Sequence, residues 1–413
     1  MKVIHTIFVL VMFASSIIFG QTMRLVDQGG TPGSYATISL AVAAANSGDT
    51  IKVLSGIYPE SVVISKKLFI IAQDSTVDVV SGANAFTFNS GSSGSLLYGF
   101  TMRGNVHHPG NYIQNEPIVI ANNRFINSYV NFYYWVIIAN NYFIKATGEI
   151  GIKTFGSDSS HKRIIIFNNT LDSSGIQMAG NYTSVVGNNI ANYYGNGILT
   201  HGNPNDYKLI ANKISNCGRA IVFAGNSSNT NFTVSNNLIT NCPIGINNGS
   251  GWYQPLFNGV ISNNIIYNST NRAVLNEQGI NGSSSIYFYS NIFSDNAGTL
   301  SFPSSVWDYN CMYNSDAVPS PGINNITSDP LFINPGSNDF KLQAGSPCID
   351  KGHQTLLFSD VDRTRNDMGI YGGSYTMSNY ENLSGPKVIG LFTSPTQVIK
   401  GNDIIITGSG ISK

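Results

Sequence analysis

The stretch "FTVSNNLITNCPIGINN", residues 232–248, states a pattern that the chain repeats. Residues 208–223, "KLIANKISNCGRAIVF", and 259–276, "GVISNNIIYNSTNRAVLN", keep the same order. An apolar triplet comes first, then an asparagine pair or its remnant, more apolar residues, and a small residue followed by Ile or Val. The pair recurs at Asn122-Asn123, Asn140-Asn141, Asn168-Asn169, Asn188-Asn189, Asn212-Lys213, Asn236-Asn237, Asn263-Asn264 and Ser290-Asn291. Steps range from 18 residues (Asn122 to Asn140) to 28 (Asn140 to Asn168), a repeated unit with loops of variable length. Such periods belong to solenoids, whereas propeller blades need ~40–50 residues.

The local chemistry narrows the kind of solenoid. Segments such as "IVIANNRFIN" (118–127) alternate over four or five residues and are β-branched, which excludes helical repeats. The Leu framework of leucine-rich repeats is absent. A β-helix remains, with short strands stacked at ~4.8 Å. Asparagine suits its corners twice over. It tolerates the left-handed backbone of a tight bend, and its amide can both donate and accept in a ladder along the axis.

The small-residue-plus-Ile/Val step aligns Gly151-Ile152, Gly175-Ile176, Gly197-Ile198, Ala220-Ile221, Gly245-Ile246 and Ala273-Val274. Their Ile and Val side chains should stack into an inward column, each worth ~1.5–3 kcal/mol on burial. One residue on, the period of two points outward. That column reads Lys153, Gln177, Leu199, Val222, Asn247, Leu275, and the next outward column includes Phe155, His201 and Glu277.

Composition agrees. Of 413 residues only 11% are charged, with no net charge, and 42% are hydrophobic. Nothing marks a nucleic-acid footprint. Residues 1–20 combine Lys2 with an apolar run and read as a secretory signal peptide. The run is shorter than the ~20 residues of a membrane span, so the mature chain is expected to be exported, secreted or on the cell surface, with no span. Four cysteines (Cys217, Cys242, Cys311, Cys348) match no zinc pattern. Cys217 and Cys242 occupy equivalent places in consecutive units and should be stacked neighbours, either as a disulfide or as a free pair. Residues 21–50, with Ala-rich helical patterning at Ile38–Ala45, read as an N-terminal cap; 51–342 as the coils; 343–385 as a closing segment; 386–413 as a linker or the start of an immunoglobulin-like module.

At "TISLAVAAANSGDTIKVLSGIYPESVVI" (37–64), "SGANAFTFNSGSSGSLLYGFTMRG" (81–104) and the Asn-pair units, the chain resembles the pectate-lyase-like superfamily. Its tail, "DPLFINPGSNDFKLQAGSPCIDKG" and "DVDRTRNDMGIYGG", is similar to the closing segment of secreted bacterial members. The resemblance implies an all-β fold, a right-handed parallel β-helix with an N-terminal capping helix. Arg363 departs from it where Gly is usual, and Ile370 where Ala is customary. Asp360, Asp362 and Asp367 could hold Ca²⁺, though turn caps and ion pairs with Arg363 and Arg365 are the simpler expectation.

Lyases of this fold need a cation and a Lys or Arg base, and hydrolases need clustered Asp; neither set appears in the outward columns. The loops following the outward strand are richer. They carry His107, His108, Asp158, His161, Lys162, Arg163, His201, Asp206, Trp252 and Tyr253. If the coils stack in order, these form one lip suited to a polysaccharide or surface glycan. Lys162 or Arg163 is the expected base of a lyase, with His161 and Asp158 beside it. Asp158 and Asp206 would hold a cation or orient substrate, and the remaining residues would bind it. A metal held by His107 or His108 with His161 and Asp158 is a further option. The alternative is a non-catalytic glycan-binding or adhesin-like protein.

Overall fold

Alternation sets the first strand of each coil. In Val136–Ala139 and Ile164–Phe167 every second residue enters the interior, and the apolar sequence pairs each strand with its counterpart one coil away. The computed structural model describes residues 22–380 except 111–113, 147, 157–162, 203–204, 225–228, 250–255, 278–285, 299–301, 303–304, 316–321 and 356–358, together with strands Lys387–Ser394 and Ile405–Ile411. It is a parallel β-solenoid. One face is a 13-stranded parallel sheet running from Met23–Val26 to Ser305–Asp308. The sheet therefore begins at Met23, ahead of the helix and not at residue 51, because Met23–Val26 pairs with Thr50–Val53.

After each strand of this first face the chain turns at the asparagine pair into a three-residue strand, such as Arg124–Ile126, Tyr142–Ile144 or Leu238–Thr240. A second turn leads to a third strand, such as Val130–Tyr133, Ile152–Phe155 or Ile244–Asn248. All three sets pair in parallel with their counterparts one coil away. Their inward residues form one core, with Phe86, Phe125, Phe132, Phe288 and Trp307 fully buried.

The two jobs expected of asparagine fall to different members of the pair. The first member takes the left-handed bend, with φ between 51° and 56° at Asn122, Asn140, Asn168, Asn236 and Asn263. The second member forms the ladder. Asn123, Asn141, Asn169, Asn188, Asn212, Asn237, Asn264, Asn291 and Asn310 each donate their backbone N–H to the Oδ1 of the next coil's asparagine, at 2.9–3.0 Å. Each Nδ2 also donates to that oxygen and to a carbonyl of the preceding coil, as Asn237 does to Leu209. At two coils the bend falls one residue earlier than the sequence pairs suggest. Gly187 and Ala211 take the left-handed position, and Asn188 and Asn212 are the ladder members. A second, exposed ladder runs along the next corner, where Asn216 donates to Asn192, Asn268 to Asn241 and Asn314 to Asp295.

Helix Ile38–Ala44 covers the first coil. Thr37 caps it, Ile38, Ala41 and Val42 are buried, and the Glu60 carboxylate accepts from the free N–H groups of Ile38 and Ser39 at 2.8 Å. This satisfies donors that the helix cannot pair internally.

The closing segment lies along the flank of the solenoid, not across its end. Asn366 Oδ1 accepts from Asn263, Gly369 N–H donates to Ser290, and the Ile370 and Gly372 carbonyls accept from Asn236. Beneath it, the outward column of the second strands changes from Lys213 to Leu238, Ile265, Ile292 and Cys311, which Met368, Ile370, Cys348 and Met377 cover. Asp360 accepts from the backbone N–H groups of Asp367 and Gly373, Asp362 from Thr364, and Asp367 from Asp350. These are the turn caps. The expected ion pairs with Arg363 and Arg365 do not occur among the described residues; Arg365 instead donates to the Gly352 and Lys351 carbonyls and lies over the Tyr309 ring. Arg363 adopts φ 70°, a backbone that glycine reaches without strain.

Candidate functional site

The outward side of the third strands is where the chain concentrates chemistry. Register places His107, Asn131, Lys153, Gln177, Leu199, Val222, Asn247 and Leu275 in one column. Parallel pairing holds neighbours ~4.8 Å apart, so His107 and Lys153 stand two coils, ~10 Å, apart. Beside this column the Tyr133 ring stacks on Phe155 in the next coil, with centroids 5.1 Å apart. Tyr129, immediately before the third strand Val130–Tyr133, carries two cations over its ring. Lys153 Nζ lies 5.1 Å from the centroid and Lys145 Nζ 5.3 Å. Lys145 also pairs with Glu149 at 2.9 Å, and this bond and charge hold the Glu149 carboxyl below its ordinary range.

Further along the axis, Arg219 reaches Glu277 at 3.2 Å, and Asn247 donates to the same carboxylate at 3.2 Å. Between the two polar clusters lie Leu199 and Val222. The face thus offers Lys153 and aromatic rings at one end and the Arg219–Glu277 pair at the other, with Leu199 half-buried between them and Val222 and Asn247 fully covered. Such a surface suits an extended ligand lying along the axis, with ring faces against aromatics and an anionic group near the Lys153 ammonium.

Of the ten expected lip residues, the structure describes five. The third strands stack in register, so the loops that follow them leave from one edge of the solenoid. Asp158, His161, Lys162, Trp252 and Tyr253 lie outside the described residues. His107 faces outward in the Lys153 column, and burial lowers its pKa. His201 is exposed at the end of strand Asn196–Thr200 on the same side. Arg163 and Asp206 stand at the start of first-face strands, in one column with Tyr182 between them, two coils apart. Asp206 takes a left-handed φ of 52°.

His108 has no solvent-facing surface, which corrects its place in the lip. One residue beyond His107, the alternation turns it inward. It is 0% exposed, its ring lies 5.3 Å from Phe132, and its Nδ1 accepts from Gly110 N–H at 3.1 Å. Burial, aided by the charge of His107, pulls its pKa down to about 4.

Sequence reading missed the Tyr129–Lys145–Glu149 cluster because its members come from different coils and meet only through stacking. The one local signal was the i,i+4 spacing of Lys145 and Glu149. Among the described residues, no three His, Cys, Asp or Glu side chains group closely enough to hold a metal ion. The four cysteines are free and buried. Cys217 N–H points at the Cys242 sulfur at 3.3 Å, so these two are stacked thiols of adjacent coils. No helix is long and apolar enough to cross a membrane among the described residues.

No family model matches the sequence, and no curated protein matches it. Solved structures do. The complex of XylC with xylose aligns over 75% of this chain and 87% of its own, at 10% identity and a TM-score of 0.49. A PL6 polysaccharide lyase from Pseudopedobacter saltans aligns over 76% and 98%, at 13% identity and 0.46. A pectate lyase aligns over 84% and 96%, at 14% identity and 0.39. These likenesses are distant, and the parallel β-solenoid itself stands on the chain's own strand pairing.

Proposed function

We propose that this protein is exported and binds an anionic polysaccharide along the outward face of the third strands. The carrying observation is the half-buried Lys153 ammonium over the Tyr129 ring beside the Tyr133–Phe155 stack, with Lys145, buried and paired to Glu149, over the same ring. In a chain where charge is scarce, the Lys153 cation and three aromatic rings on neighbouring coils form a surface for sugar rings that bear carboxylates or sulfates. His201, exposed at the end of a third strand, is a further contact in this reading, and Lys162, Arg163, Asp206, Trp252 and Tyr253 remain candidates on the strength of the sequence. The solved structures with this fold include one named for xylose and others named as alginate and pectate lyases, which agrees with a polysaccharide ligand.

The test is affinity across a panel of uronate-bearing, sulfated and neutral polysaccharides at two salt concentrations. Anionic glycans should bind, and more weakly at high salt. Lys153→Ala and Tyr133→Ala should each weaken binding by ~1–3 kcal/mol, the scale of a lost anchor. Wild-type affinity in both variants would refute the face. New unsaturated ends at 235 nm, abolished by Lys162→Ala/Arg163→Ala, would make the protein a lyase; binding without turnover would make it a glycan-binding surface protein.

A further inference from the structure

Outward positions of a sheet that meets water tend to be polar, as Thr50 and Lys52 early and Ser184 and Lys208 later are, although Leu25 and Val186 on the same side are apolar and Val186 packs against the cluster of Ile137, Ala139, Ile165 and Phe167. Between these polar positions the outward residues are apolar over five consecutive strands, from Phe69 and Ile71, through Ile137 and Ala139, to Ile165 and Phe167. Although they face away from the core, Ile137 and Ala139 are 0% exposed, and Ile165 and Phe167 are 7% exposed. They form an apolar cluster separate from the interior one.

Two features indicate what covers them. Tyr380, at the end of the closing segment, packs against this cluster, so the chain is delivered to the patch. Strand Lys387–Ser394, antiparallel to Ile405–Ile411, then lies against strand Ile164–Phe167. Seven peptide steps from Tyr380 to Lys387 reach at most ~25 Å, which confines the strand pair to this side of the solenoid. A two-stranded hairpin is marginal in water by itself, and sequences as apolar as "KVIGLFTS" and "DIIITGSG" need a surface to cover.

We propose that the apolar outward face of the first sheet is the docking surface for the strand pair Lys387–Ser394/Ile405–Ile411 of this same chain. The solenoid thereby presents its third strands to ligand on one side and seats a β module on another.

Hydrogen exchange of the full chain tests this. Amides of 387–394 and 405–411 should be protected, and Ile165→Asp should speed their exchange at least tenfold while the asparagine ladder stays protected. Ser184→Asp, an outward change just beyond the patch, should leave them unchanged. The reciprocal Leu391→Asp/Phe392→Asp variant cannot unfold a solenoid coil, and it should raise apolar-dye fluorescence several-fold. Free-peptide exchange of these strands in the wild type, indifference to Ile165→Asp, or unchanged dye binding in the reciprocal variant would each overturn the proposal. So would a wild-type dimer that Ile165→Asp converts to monomer, since a second copy would then be the occupant.

Discussion

Replacing Asn237 by alanine perturbs the ladder at one rung. The side chain is fully buried. Its Oδ1 accepts from the N–H and the Nδ2 of Asn212, and its Nδ2 donates to Leu209, Ser235 and Asn264. Truncation leaves the Asn212 N–H without its acceptor in a site that water does not reach. The Asn212 Nδ2 keeps only its bond to Val185, and the Leu209 carbonyl loses an amide donor. One orphaned buried donor costs ~1–3 kcal/mol, and with the weakened neighbours the total should be ~2–4 kcal/mol. Backbone strain adds nothing, since the left-handed bend belongs to Asn236. The loss should be local at first, because a solenoid is stabilised coil by coil. Native-state hydrogen exchange should therefore show it around residues 209–212 and 237–240 before denaturant unfolding shows it globally. Aspartate sharpens the test. It retains an acceptor for Asn212 but cannot donate when ionised, and it sets a carboxylate against Asn264 Oδ1 and two carbonyls. Asn237→Asp should be at least as destabilising as Asn237→Ala at pH 7 and should recover at acid pH, where the carboxyl regains a proton. A loss below ~1 kcal/mol for alanine, or a tolerated aspartate at pH 7, would refute the ladder as a source of stability.

His108 should make the fold acid-sensitive. Its folded pKa of about 4 lies below the ordinary 6.5, so its contribution is complete above pH 6.5 and is lost as pH falls through 4, up to ~3 kcal/mol. In His108→Gln the slope of stability with pH should flatten over that window; an unchanged slope assigns the sensitivity elsewhere. Asp360 acts in the opposite sense. Burial, reinforced by Asp367 and Asp362 against the hydrogen bonds from Gly373 and Asp367, raises its pKa to about 6. Its contribution is present below about pH 4 and lost as pH rises through 6, so proteolysis of the closing segment should be slower at pH 5 than at pH 7.5, and Asp360→Asn should shrink that difference. All four cysteines should resist a thiol reagent in the native state and react after denaturation; fewer than four after denaturation would mean that a pair has oxidised.

The asparagine refrain and its apolar frame determine the solenoid by themselves. Stacked coils repeat one environment, so the residues that satisfy it recur in sequence, and the outward column beginning at Lys153 could be read directly. The switch from Lys213 to Leu238, Ile265 and Ile292 becomes visible only once register places these residues in one outward column, which the closing segment covers. Tertiary structure alone decided the rest. Which asparagine bends and which ladders depends on where each corner falls, and Gly187 and Ala211 show that the bend does not require asparagine. The neighbouring histidines differ only by the alternation at the end of one strand, which leaves His107 outward and buries His108. The Tyr129 site joins residues 129, 145 and 153, whose spacing follows no local period. They meet because chain segments of unequal length return to the same angular position one coil later, and that closure belongs to the folded coil.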